Sequence, residues 1–318
     1  MLTVTNTPYE VGSILKLKVD GQIIEAPYIG EYRGCAVFKV NGKNIVRKYD
    51  RIKNLNATPA TRSNIEVIEE AAPAIDEADA IIAKAKDVNV RFKYIQNLVD
   101  MVVYGDANSM IVTGPGGLGK THTIIDRLKF HDLGEPGQSN EITEIKGHAT
   151  PKSMYNHLYH NNGKITVFDD CDSVLKEPTC VNLLKGALDT HNCRRISWLT
   201  TSDRDGGGVP DCFEFTGRII FLSNMSIDNV PQPILSRAFY VDLAMTPEEK
   251  ITRIDTIKMN LVEGITTEVA DDCVALLDTL KFRISDLNLR TFQKVAKLRM
   301  SQPTNWREMA IYMTTARK

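Results

Sequence analysis

The sequence predicts an α/β protein: a mostly parallel sheet between helices, with a small β domain before it and a helical region after it. Three observations carry this. Short apolar segments alternate with helical periodicities from 89 to 245, the pattern of a parallel sheet covered on both faces. Two Gly-containing dipeptides sit between alternating segments within residues 1–55, which is the strongest short hairpin signal. From 246 onward the periodicity is helical throughout. The expected organisation is therefore a β domain at 1–55, a linker at 56–88, the α/β core at 89–245 and the helical region at 246–318.

In the first region Asp20-Gly21 joins Ser13–Val19 to Gln22–Ala26, and Asn41-Gly42 joins Cys35–Val40 to Asn44–Arg47. Two linked hairpins of this length suggest an SH3-like or similar small barrel. The region is rich in Lys16, Lys18, Arg33, Lys39, Lys43, Arg47, Lys48, Arg51 and Lys53. Such residues make either a docking surface for nucleic acid or a protein partner, or a solvated outer face alternating with a core face. Residues 56–88 then change character, with Pro59, Pro73, many alanines and the acids Glu66, Glu69, Glu70, Asp76, Glu77 and Asp79. That composition reads as an interdomain linker holding one or two short helices.

The core opens with a helix whose Ile95, Leu98, Val99, Val102 and Val103 share one face. The β-branched run Met110–Thr113 is a buried strand, and Thr123, Ile124, Ile125, Leu128 and Phe130 mark the helix beyond it. Further strands are expected at 141–146, 165–168, 195–200, 212–216, 218–223 and 239–242, with helices at 151–159, 179–190 and 231–235. Thr246-Pro247-Glu248-Glu249 is a capping box with proline at the first helical position. Three helices follow it, near 266–280, 288–300 and 304–314.

Between the strand at 110–113 and its helix lies Gly114-Pro-Gly-Gly-Leu-Gly-Lys120-Thr121, which fits the phosphate-loop pattern G-x-x-x-x-G-K-[ST] in the strand-to-helix context that the pattern requires. Glycines let successive backbone N–H groups converge on phosphate oxygens, and the helix N-terminus adds partial positive charge. The candidate nucleotide contacts are Gly114, Pro115, Gly116, Gly117, Leu118, Gly119, Lys120, Thr121 and His122. Lys120 would reach the β- and γ-phosphates, and Thr121 would place its hydroxyl on Mg2+. The apolar strand Ile165–Phe168 runs into Asp169-Asp170-Cys171-Asp172. Asp169 is the expected second Mg2+ ligand and Asp170 the expected base for the attacking water, with Asp172 as the alternative base.

These motifs and their order resemble the AAA+ ATPases over residues 90–300: phosphate loop, acidic strand end, sensor 1, arginine finger, helical lid with sensor 2. The resemblance implies ATP with Mg2+ and places sensor 1 at Asn224, the finger that enters the neighbouring subunit at Arg237 (Arg218 as substitute) and sensor 2 at Arg290. It also implies a homo-oligomeric ring, by analogy a hexamer. One departure is that Asp170 stands where the family usually carries Glu, one methylene longer. The strands at 195–200 and 212–216 look like the family's pre-sensor-1 hairpin, with Ser202–Gly208 at a tip facing the ring's pore. Lys146, His148 and Lys152 occupy the first pore-loop position, lack the aromatic grip of protein unfoldases and suit a phosphate backbone. The wording Phe213-Glu-Phe-Thr-Gly-Arg-Ile-Ile-Phe-Leu-Ser-Asn and Asn288-Leu-Arg-Thr-Phe is similar to bacteriophage-encoded members. The implied activity is ATP hydrolysis coupled to remodelling or translocation of a polymer, DNA or RNA first. A protein-remodelling ATPase docking substrate through residues 1–55, or a clamp-loader-type nucleotide switch, is the alternative.

Composition sets bounds on these readings. The net charge of −1 advertises neither nucleic-acid nor membrane binding for the whole chain, so any such surface is local. No apolar run approaches the roughly 20 residues of a membrane span, and the first residues lack a secretory pattern. The six cysteines are scattered with no C-x-x-C pair, as expected of free thiols in a reducing cytoplasm, the host's if the chain is phage-encoded.

Overall fold

The computed structural model describes the backbone of residues 14–19, 22–32, 35–40 and 43–48, and in full residues 84, 87–131, 133–134, 140–191, 193–199, 208–301 and 304–315. The chain divides into two compact units, 1–72 and 73–318. The expected linker at 56–88 falls almost wholly outside the described residues, as do the side chains of the basic residues in 1–55 and positions 202–207 of the hairpin tip.

In the first unit β1 (Ile14–Val19), β2 (Gln22–Tyr32), β3 (Cys35–Val40) and β4 (Lys43–Lys48) form an antiparallel meander in that order. The pairs Val19–Gln22 and Val40–Lys43 close hairpins around the two dipeptides singled out above. A register shift between Tyr28 and Gly30 interrupts the pairing of β2 with β3, a bulge that bends the longer strand.

The second unit starts with α1 (Val88–Tyr104), capped by Asp87, whose side chain accepts from the Asn89 N–H at 2.8 Å. Next come β5 (Ser109–Thr113), α2 (Lys120–Phe130), β6 (Ile142–Lys146), α3 (Pro151–His160) and β7 (Ile165–Asp169). The helix expected at 179–190 is α5 (Pro178–Ala187), and a short helix not expected from the sequence, α4 (Asp172–Lys176), precedes it; Pro178 cannot continue α4 and instead opens the first turn of α5. A hairpin of β8 (Arg195–Ser197) and β9 (Cys212–Glu214), shorter than expected, precedes β10 (Arg218–Leu222), α6 (Gln232–Leu235) and β11 (Phe239–Asp242).

Strands β11-β5-β10-β7-β6 make one parallel sheet with β10 central between β5 and β7. Side chains alternate faces along each strand, and both faces are covered. Met110, Val112, Val167, Ile220 and Leu222 pack with Val99 and Val102 of α1 and with Ile124 and Leu128 of α2. Ile111, Phe168, Ile219 and Phe221 pack on the other side with Met154 and Leu158 of α3 and Leu184 of α5. Double coverage explains why these strands read as continuous apolar runs.

Beyond the sheet lie α7 (Pro247–Ile257), α8 (Thr267–Leu280), α9 (Leu289–Ser301) and α10 (Trp306–Thr315), which enclose a core of their own around Ile254, Cys273, Leu277, Phe292 and Trp306. The capping box forms as written: Glu249 N–H donates to Thr246 Oγ1 at 3.2 Å and Thr246 N–H to Glu249 Oε2 at 2.8 Å. Arg91 of α1 bonds Glu249 and, at 2.6 Å, the Ala244 carbonyl, which ties the start of α7 to the sheet's helical cover.

Candidate functional site

Parallel strands place their carboxyl ends along one edge of the sheet, where ligand crevices form in open α/β sheets. β5, β7 and β10 end there in Thr113, Asp169 and Leu222. The residues that follow each strand are the ones the sequence singled out.

After β5 the chain turns through Gly114–Gly119 into α2. Gly114 has φ 123°, and a Cβ there would lie 2.9 Å from the Leu243 backbone. Gly117 has φ 77°, and a Cβ there would lie 2.9 Å from the Asn288 side chain. Both positions therefore exclude other residues on backbone and on space. The loop is also held from outside, because the Leu289 N–H donates to the Gly117 carbonyl at 3.0 Å. The N–H groups of the first turn of α2 have no acceptor within the helix, so loop and helix end together can bind an anion.

Lys120 is 6% exposed. Its Nζ donates to the carbonyls of Gly114 at 2.5 Å and Pro115 at 2.9 Å and to Asn224 Oδ1 at 2.9 Å. Burial pushes its pKa down, against the pull of Asp170, Asp172 and Asp169. Asn224 Nδ2 in turn donates to Asp170 Oδ1 at 2.6 Å, so one amide bridges the lysine and the carboxylate. Asp170 has φ 52°, the only positive value among described residues other than glycine. Strained backbone of this kind persists only where surroundings impose it.

Asp169 is 3% exposed and accepts from Thr121 Oγ1 at 3.1 Å. Its other oxygen pairs with Lys146 Nζ at 2.8 Å, a hydrogen bond that raises the pKa of the lysine. Thr121 and Asp169 thus present two adjacent hard oxygen donors, the set that suits Mg2+ completed by phosphate and water.

A cavity of about 530 Å³ opens on Lys120, Thr121, Asp170 and Asn224, with the buried Asp169 behind Thr121 and outside the lining. Gly116 to Thr121, His122, Asp170, Asn224 and Arg290 line it. Gly114 and Pro115 do not, their part being to supply carbonyls to Lys120. His122 Nδ1 pairs with Asp126 at 2.8 Å. Asp172 is no cavity residue: it accepts from Ser223 Oγ at 2.6 Å, which orders the turn into Asn224. Arg237 also stays apart from the cavity, half-buried behind α6 with its guanidinium on the Pro233 carbonyl at 2.9 Å. Arg218 is unfit as a substitute, since it donates to the Val102 and Val103 carbonyls at 2.8 and 2.7 Å and so finishes α1. Of the pore-loop candidates, Lys146 is engaged with Asp169, and His148 bonds Ser173 Oγ at 3.2 Å.

Sequence reasoning missed the opposite wall: Gln96 of α1, Arg253 of α7, Asn260 and Gln293 of α9. Arg253 lies 3.8 Å from the Phe92 ring centroid and donates to Asn89 Oδ1 at 2.9 Å, and burial pushes its pKa down. Gln96, Arg253 and Gln293 are each one polar position among many on an amphipathic helix, and Asn260 ends a short 3-10 turn. No motif separates them from solvated neighbours.

No protein-family model matches the chain. It is 28% identical over 242 residues, 70% of its length and 73% of the relative's, to an uncharacterised 36.7 kDa protein of the nrdC–mobD intergenic region of enterobacteria phage T4. Among solved structures it is similar to a chain of the E. coli MS115-1 HORMA:CdnC:Trip13 complex, at 10% identity and a TM-score of 0.41 over 78% of this chain and 93% of that one. That likeness is too slight to bear on fold or activity. The fold and the site define an α/β protein with a five-stranded parallel sheet flanked by helices, compatible with a P-loop-like core. A phage-encoded protein is among its relatives, and no helix among the described residues is long and apolar enough to cross a membrane.

Proposed function

We propose that the chain is a ring-forming AAA+ ATPase of the phage-encoded kind, acting in the host cytoplasm. The supporting observation is the Asn224 bridge, which joins the buried Lys120 to Asp170 on one wall of the cavity that also holds Gly116–Thr121 and Arg290. ATP bound with Mg2+ would supply the phosphoanhydride to be cleaved. Thr121 and Asp169 would hold the metal. The loop N–H groups and Lys120 would hold the phosphates, with Lys120 giving up its loop carbonyls for phosphate oxygens. Asp170, oriented by Asn224 Nδ2, would take a proton from water at its carboxylate. Arg290, exposed at the head of α9, would contact the terminal phosphate from the helical region, which acts as a lid.

Arg237 stands apart from its own chain's cavity, as a residue serving a neighbouring subunit would. Turnover should therefore depend on assembly. The expected result is that Arg237→Ala loses ATP hydrolysis while binding ATP like the wild type, and that wild-type specific activity falls on dilution. Full hydrolysis by a monomer in analytical ultracentrifugation would remove the finger from the scheme. The first unit is proposed as a small SH3-like barrel, and the polymer acted on as DNA or RNA, on the strength of the basic residues between 16 and 53. Hydrolysis stimulated by single-stranded DNA, duplex DNA or RNA and falling steeply with salt would support this. Stimulation by unfolded protein alone would assign the chain to protein remodelling.

A further inference from the structure

Lys146 ends β6 directly opposite Asp169 in the parallel register, and its ammonium is the cation on that carboxylate. We propose that Lys146 is a resident cation that holds Asp169 in place of a divalent metal and moves to Glu144 when the metal binds. This rests on the reading of Thr121 and Asp169 as the metal-holding pair.

The argument begins with Asp169 itself. A carboxylate 3% exposed must have its charge met or it ceases to be charged. One oxygen has the neutral Thr121 hydroxyl and the other has Lys146. Lys120, the other nearby ammonium, is committed to two loop carbonyls and Asn224. Lys146 therefore supplies the charge on Asp169. A dication seated between Thr121 and Asp169 would repel an ammonium left on the same carboxylate, and the repulsion is strong at such range in a partly desolvated site. The two cations compete.

Lys146 is built to leave. Its side chain is 60% exposed, whereas that of Asp169 is 4% exposed. The next residue, Gly147, has φ 82°, its N–H donates to the Asp169 carbonyl at 3.2 Å, and a Cβ there would meet nothing within 4 Å, so no side chain crowds the Lys146 ammonium from that position. A second acceptor waits two residues back on the same face of β6: Glu144 Oε1 lies 4.0 Å from Lys146 Nζ. Exchange from Asp169 to Glu144 exposes no unpaired charge. It also ties metal occupancy to the start of the segment 147–150 that leads into α3.

The test uses the full chain loaded with ADP and titrated with Mn2+ in place of Mg2+, reading free Mn2+ by electron paramagnetic resonance. Lys146→Met should bind Mn2+ about tenfold more tightly than the wild type, the size of effect expected when one like charge is removed from beside a site. Lys146→Gln, which keeps a hydrogen bond to Asp169, should do the same and serves if the Met variant does not fold. Glu144→Gln should weaken Mn2+ binding about twofold, as loss of an exposed partner would. Lys146→Arg should resemble the wild type. Mn2+ affinities equal to wild type in folded, ADP-binding Lys146→Met and Lys146→Gln overturn the proposal. So does Mn2+ binding that is indifferent to Thr121→Ala. Failure of every chain, wild type included, to bind ADP overturns the nucleotide reading itself and this inference with it, a signature distinct from the other two.

Discussion

Both ends of α2 carry buried charge, and the two ends treat it differently. At the C-terminal end the fully buried Asp100 accepts from Arg127 Nε at 2.6 Å and Nη2 at 2.8 Å and lies 2.7 Å from His131 Nε2. At the N-terminal end Lys120 is nearly as buried, yet its hydrogen-bond partners are carbonyls and an amide with no carboxylate among them. The first cluster is complete within the chain. The second is stable only provisionally, because its lysine spends its donors on the loop that it should present to a ligand. A satisfied buried charge fixes a fold; one satisfied by weak neutral partners is available for binding.

The largest effect should come from the incomplete end. Lys120→Ala is expected to lower ATP turnover roughly a thousandfold, the scale at which a preorganised charge acts on a transition state, while leaving the far-UV circular dichroism and melting temperature near those of the wild type. Lys120 contributes little net stability in this scheme, since its loop carbonyls can be rehydrated at the cavity. A melting temperature that collapses with activity would show that the lysine is structural and that the two ends are alike.

The sequence made one end legible and left the other dark, for physical reasons. Phosphate binding constrains backbone as well as side chains, so Gly114, Gly117 and Lys120 had to appear at fixed spacing, and an acidic strand end had to follow. The capping box at Thr246–Glu249 was equally readable because all its partners lie within one turn. Asp100, Arg127 and His131 meet across helices from positions 27 and 31 residues apart, and nothing local marks an aspartate on α1 as buried. Arg253 and Gln96 were hidden in the same way. The short α4 was missed because five residues carry too little apolar periodicity to mark a helix.

Breaking the complete end should cost stability and spare chemistry. Asp100→Asn leaves Arg127 without its carboxylate in a buried setting, a loss of about 3 kcal/mol. That corresponds to a fall in melting temperature of roughly 6–12 °C in a unit of this size. ATP binding measured below the new midpoint should match the wild type. A stable variant with impaired binding would mean that α2 transmits strain from one end to the other.

The smallest predicted effect sharpens the contrast through pH. Burial works to raise the Asp100 pKa, but His131 and Arg127 hold it down to about 2, against 3.8 in the unfolded chain. A carboxylate depressed in the folded state stabilises at every pH above its unfolded value, and that stabilisation is lost as pH falls through the folded value. The shift is worth at most roughly 2 kcal/mol. The stability difference between wild type and Asp100→Asn, measured by urea denaturation, should therefore shrink steadily as pH falls from about 4 toward 2. Lys120→Ala should show no such convergence with wild type in that window, because the group removed is a cation throughout it. A wild-type advantage over Asp100→Asn that stays flat to pH 2 would mean that the Arg127 and His131 contacts are no stronger in the folded protein than water is to the free carboxylate.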